Sequence, residues 1–143
     1  MSTYQLLVKL FCTLRVTTNK SLSYHWHVTG PDFYPHHLLL QRVYEALDGF
    51  TDRLAEHIRG MGRVPGAFSI YIQLSSVQED VNVPPALTML SNLLADAQTL
   101  KADLLAAATS TTNQGTLNLL GDIDESLDTV IYLLGSTQPN FNV

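Results

Sequence analysis

With a single cysteine, Cys12, the chain can form no internal disulfide, and a reducing compartment, the cytoplasm, is the expected location. Cys12 falls in an apolar stripe and reads as a small core residue rather than a nucleophile. Long apolar runs are missing too: none approaches the ~18 residues needed to cross a bilayer. The opening Met1-Ser2-Thr3-Tyr4 has no basic stretch followed by a short apolar one, so a secretory signal is not expected. Positive charge is scarce: 8 Lys and Arg stand against 13 Asp and Glu, for a net charge of −5. The first base is Lys9 and the last is Lys101, so neither end offers a basic arm. Since affinity for nucleic acid rests on Lys and Arg, direct DNA binding is doubtful.

What remains suits a single domain over residues 1–143, and 45% hydrophobic content is enough for one packed core. Four helical segments can be read from apolar periodicity and breakers. The first runs from about Tyr4 to Thr29, with Leu7, Leu10, Phe11, Leu14 and Leu22 on one face, Ser2 or Thr3 as cap, and Gly30-Pro31-Asp32 as its stop. The second starts near Pro35 and continues to about Met61, on Leu39, Leu40, Val43, Leu47, Phe50, Leu54 and Ile58. The third opens at Pro84-Pro85 and reaches about Ala108, with Leu87, Leu90, Leu94, Ala97, Leu104 and Ala108 expected on its buried side. The fourth spans about Thr116 to Leu134 on Leu120, Ile123, Leu127, Val130 and Leu134, and Gly135 and Pro139 end it. In the connection, Phe68-Ser69-Ile70-Tyr71-Ile72 fits a strand or a short helix, and a lone strand among helices would lack a partner. The expectation is an all-α four-helix bundle. Its longest link, between helices two and three, contains a short helix and lets those two helices run parallel, as in ferritin-like topology.

All five histidines lie between His25 and His57, in a stretch that also holds Trp26, Asp48, Asp52 and Glu56. Imidazole and carboxylate together suit a borderline or hard transition metal. Asp52 and Glu56 are four apart and share a helix face, as do His37 and Gln41. Such an acidic pair can ligate one cation, bridge two, or simply form a solvated face. Distance narrows the choice. His25, near the end of helix one, and His37, near the start of helix two, meet at one end of a hairpin. Glu56 lies 19 residues beyond His37, about 28 Å along a continuous helix. If helix two is continuous, one chain cannot gather all four around one ion, whereas two chains in an antiparallel two-fold dimer can, so the sequence suggests either no shared site or a site shared between subunits.

His25-Trp26-His27-Val28-Thr29-Gly30, then Phe33, His37, Tyr44, Leu47, Asp52, Ala55, Glu56, Ile58 and Gly62 resemble the pattern of the Dps family, the ferritin-like mini-ferritins. Both intervals agree: 12 residues from His25 to His37, and 4 from Asp52 to Glu56. The likeness continues more weakly through helix three and Gly115-Thr116 into helix four. It implies a twelve-subunit hollow shell that oxidises Fe(II), typically with hydrogen peroxide, protects against oxidative stress and stores ferric mineral. The implied ferroxidase centre lies between subunits, with His25 and His37 from one protomer facing Asp52 and Glu56 of the other. Trp26 resembles the aromatic lining that centre.

Gln41 stands where the family usually has Asp, and a neutral amide is a weaker ligand. One iron position is then expected to be tight and the second weak. His27 replaces a common Asn, His36 a common Leu and His57 a common Arg; these read as outer or surface residues. Asp124 and Asp128 share a face of the acidic fourth helix and are candidates for an iron-entry pore, although exposed acids on a helix are ordinary. Zinc is a possible substitute for iron. Two other functions stay open: a DNA-protecting shell, and a metal-buffering cage with a degenerate centre.

Overall fold

The computed structural model describes residues 1–141, and its elements are six helices: α1 (Thr3–His27), α2 (Phe33–Asp48), α3 (Thr51–Arg59), α4 (Phe68–Leu74), α5 (Ala86–Thr109) and α6 (Gln114–Gly135). Ser2 caps α1 in a reciprocal box: its hydroxyl accepts from Gln5 N–H while the Gln5 amide oxygen accepts from Ser2 N–H. Asn113 caps α6 by accepting from Thr116 N–H at 2.9 Å. Gly30, in the turn between α1 and α2, has φ +114°, a conformation that L side chains rarely adopt.

Side-chain pairings fix the directions of the helices. Thr13 meets Asp103, Lys20 meets Asp96 and Tyr24 meets Asn92, so α1 and α5 run antiparallel. Arg53 meets Asp122 and His57 meets Thr116, so α3 and α6 run antiparallel. The short turn after α1 makes α2 antiparallel to α1 as well. Thus α2 and α5 are parallel, and the long crossover through α4 joins them. That is the expected ferritin-like arrangement, with α1 packed on α2, α5 and α4, and α6 on α5 and α2. Asp103 anchors the crossover by accepting from Thr13 Oγ1 (2.8 Å) and Ser76 Oγ (2.9 Å).

One core runs through the bundle, and Leu7, Leu10, Leu40, Leu54, Ile58, Leu90, Leu100 and Leu134 are wholly shielded from solvent. Each such side chain contributes roughly 1.5–3 kcal/mol relative to exposure. Cys12 is buried, and burial pushes its thiol up to about 11, so it is a core residue, not a nucleophile.

Two expectations need correcting. The second long helix is interrupted, with Gly49 and Phe50 separating α2 from α3. Glycine costs about 1 kcal/mol in a helix interior. Here Phe50 N–H bonds Leu47 O at 3.3 Å, a tighter turn. Both residues stay in the right-handed helical region, so the chain continues rather than folding back. The seam of α5 is also rotated from the one expected. Leu87 is 64% exposed, while Met89, Leu93, Leu100 and Ala107 are buried beside Leu90, Ala97 and Leu104. The first turns of α5 carry apolar residues on several faces, and periodicity alone cannot choose among them.

A candidate metal centre in two halves

The first half is the hairpin end. His25 closes the last turn of α1, and His37 lies in the second turn of α2. His25 Nδ1–H donates to His37 O at 2.8 Å, and His37 Nδ1–H donates to His25 O at 2.8 Å. A carbonyl can only accept, so each Nδ1 carries hydrogen. In the neutral rings, each Nε2 therefore keeps its lone pair, the state a metal ligand needs. The rings stack with centroids 3.8 Å apart and planes 15° apart. Phe33 stacks on His37 at 5.0 Å, and Tyr44 meets His25 edge-on at 5.4 Å. Gln41, one turn beyond His37, donates its Nε2–H to Glu45 Oε1 at 3.0 Å.

Apolar groups ring this half and face outward: Trp26 is 64% exposed, and Phe33, Tyr34 and Leu38 are exposed too. His27 donates Nδ1–H to Ser23 O at 2.7 Å. His36 is half-buried, and its Nδ1 has no hydrogen-bond partner among the described residues.

The second half is on α3. Asp52 and Glu56 lie one turn apart, and both are exposed. Hydrogen bonding to Asp52, and then its negative charge, raise the Glu56 carboxyl above the usual range. Two carboxylates this close favour a shared proton or a bound cation. His57, next in sequence, turns inward and places Nε2 2.9 Å from Thr116 Oγ1.

The two halves sit at opposite ends of the protomer. Gly62, just past α3, lies against the Tyr4 ring, and Tyr4 O–H donates to Arg63 O at 2.7 Å, so α3 ends beside the start of α1. Tyr4 and His25 are separated by about 32 Å of helix. Among the described residues, no group of three or more His, Cys, Asp or Glu in one protomer is placed to hold a metal ion.

Asp124 and Asp128 share a face of α6 as expected, but each is paired with Lys101, Asp124 at 3.1 Å. Their charge is thus partly spent inside the protomer. The sequence reading missed a polar cluster between α1, α5 and the crossover. There Tyr24 O–H donates to Asp80, Asn92 donates to Tyr24 Oη at 3.4 Å, and Lys20 pairs with Asp96 at 2.7 Å. The available signal was Lys20 on the line Val16–Lys20–Tyr24, a charge inside a buried stripe. No described helix is long and apolar enough to cross a membrane.

Residues 4–134 match the family model described as a ferritin-like domain. A low temperature-induced protein of Nostoc sp. is 32% identical over 123 residues, covering 82% of this chain and 69% of its own. The DNA protection during starvation protein of Brevibacillus brevis is 27% identical over 116 residues, 78% of each chain. Among solved structures, antigen TpF1 from Treponema pallidum superposes with a TM-score of 0.87 at 25% identity, over 94% of this chain and 90% of that one.

Proposed function

Because the chain belongs to the ferritin-like family, and within it to the Dps proteins whose shared role is iron storage, we propose that it is a ferroxidase and iron store. Its centre is assembled at a two-fold interface between copies. His25 and His37 of one protomer face Asp52 and Glu56 of the next, and Fe(II) is the substrate. The observation that carries this reading is the reciprocal histidine clasp. It leaves two Nε2 lone pairs on a half-site that, among the described residues, gathers no carboxylate set from its own chain. The outward apolar ring of Trp26, Phe33, Tyr34 and Leu38 supports an interface there.

Imidazole and carboxylate stabilise ferric over ferrous iron, and the two acids supply negative charge where positive charge grows. With hydrogen peroxide as oxidant, two Fe(II) ions each give one electron, the O–O bond breaks, and two hydroxides form. Gln41 offers no charge to the second position, so its filling is the slow step. The ferric product is then stored as mineral inside a shell of twelve copies. Zinc, which accepts the same nitrogen and oxygen donors, competes for the centre.

The test compares peroxide-driven Fe(II) oxidation by the wild type and His37→Ala. At least a tenfold loss is expected, on the scale of removing a metal-site residue; equal rates would leave only an inert cage. DNA coating is the less favoured role because the net charge is −5, which repels a duplex.

A further inference from the structure

Two side-chain links join α3 to α6, and they differ in kind. Arg53 and Asp122 meet at 3.0 Å, but both are more than half exposed, and such a pair holds little in water. His57 is half-buried and Thr116 is buried. Asn113 Oδ1 accepts from both Thr116 N–H, at 2.9 Å, and Thr116 Oγ1–H, at 3.1 Å. A threonine hydroxyl has one hydrogen, and here it goes to Asn113. The Thr116 oxygen therefore accepts from His57 Nε2–H at 2.9 Å. The chain of donors runs from His57 through Thr116 to the residue that caps α6.

This link matters because α3 is short and is set off from α2 by a tighter turn. It has 9 residues, follows the break at Gly49–Phe50, and fully buries two side chains, Leu54 and Ile58, with Ala55 partly buried against the core. The two fully buried side chains are one turn apart, on a line nearly parallel to the helix axis. Packing along such a line sets the distance of α3 from the bundle but resists rolling poorly. A directional hydrogen bond from the neighbouring strip of the helix resists it well.

We propose that His57 is a positioning residue, whose bond to Thr116 sets the rotation of α3 and hence the aim of Asp52 and Glu56 across the interface. This rests on the ferroxidase reading above and deepens it.

Co(II) titration of the assembled protein, followed by visible absorption, tests the proposal alongside steady-state Fe(II) oxidation. Thr116→Val and His57→Leu are expected to weaken Co(II) binding about five- to tenfold, the size of one lost hydrogen bond. KM for Fe(II) rises in parallel while kcat changes less than about twofold, as expected when binding alone is weakened. Thr116→Ser, which keeps the hydroxyl, restores both values. If Thr116→Val does not assemble, His57→Leu at the half-buried position carries the test. Co(II) affinity and KM indistinguishable from wild type in the variants that assemble would overturn the proposal, as would a Thr116→Ser variant no better than Thr116→Val. A Co(II) spectrum unchanged by Glu56→Gln would instead bring down the metal centre itself, and the positioning role with it.

Discussion

His25 and His37 each donate from Nδ1 to the other's backbone carbonyl, with both bonds 2.8 Å long and the rings stacked at 3.8 Å. The end of α1 is thereby fastened to α2 through the very side chains that offer Nε2 outward. The structural role and the proposed ligand role are separable here because they use different nitrogens.

His37→Asn uses that separation. The asparagine Nδ2–H can replace the Nδ1 donor to His25 O, but nothing replaces Nε2. Stability in urea should stay within about 1 kcal/mol of wild type, whereas His37→Ala should lose about 1–3 kcal/mol through an unpaired carbonyl. Oxidation of Fe(II) should be lost in both. Activity retained by His37→Asn would exclude Nε2 as a ligand.

Gln41→Asp should place a charge near the proposed second iron position. Direct titration should then show two tight Co(II) ions per interface where the wild type shows one tight and one weak. The metal-free protein should become slightly less stable, by about 0.3 kcal/mol, because the introduced carboxylate would face Glu45 one turn on in place of the present hydrogen bond. Two equally tight ions in the wild type would contradict this account of Gln41.

The Glu56 carboxyl is raised by Asp52, and the sign of its effect follows. A raised acid binds its proton more readily in the folded state, so its contribution to stability is present at low pH and lost as pH climbs through the raised value. Glu56→Gln should therefore raise the thermal midpoint of the metal-free protein at neutral pH, and the gain should fade in acid. Cation capture in the wild type should fail on acidification earlier than an ordinary glutamate would dictate. Melting curves over a pH series, without and with Co(II), measure both effects.

Lys20 and Asp96 form an ion pair at 2.7 Å with only 7% and 13% of their side chains exposed. Burial raises the Asp96 carboxyl, and Lys20 opposes that rise. Lys20→Met should cost about 3–5 kcal/mol at neutral pH by leaving a buried charge unpaired. The loss should shrink as pH falls and Asp96 takes up a proton. Lys20→Met with Asp96→Leu should recover most of it in guanidinium denaturation. Full stability of the single variant would show that water reaches Asp96 freely.

The four long helical stretches and their stops were legible in the sequence because apolar periodicity, Ser2, Gly30 and the prolines act within a few residues of where they stand. The short helix in the crossover was legible for want of a strand partner. Histidine crowding and the Asp52–Glu56 spacing marked the candidate centre, since residue type and interval are local properties.

Other features depended on contacts between distant stretches. Leu87 and Leu90 are equally apolar, and only packing against α1 and α6 decided which one faces inward. The break at Gly49–Phe50 was visible as a glycine, but not as the start of a separate helix. The tautomers of His25 and His37, the inward turn of His57 onto Thr116, and the capture of Asp124 and Asp128 by Lys101 all depend on atoms many residues away. A sequence specifies which groups are available at each turn of a helix. How a helix is rotated, and whose lone pair meets whose proton, is settled by the bundle as a whole, because each packing choice constrains its neighbours at once.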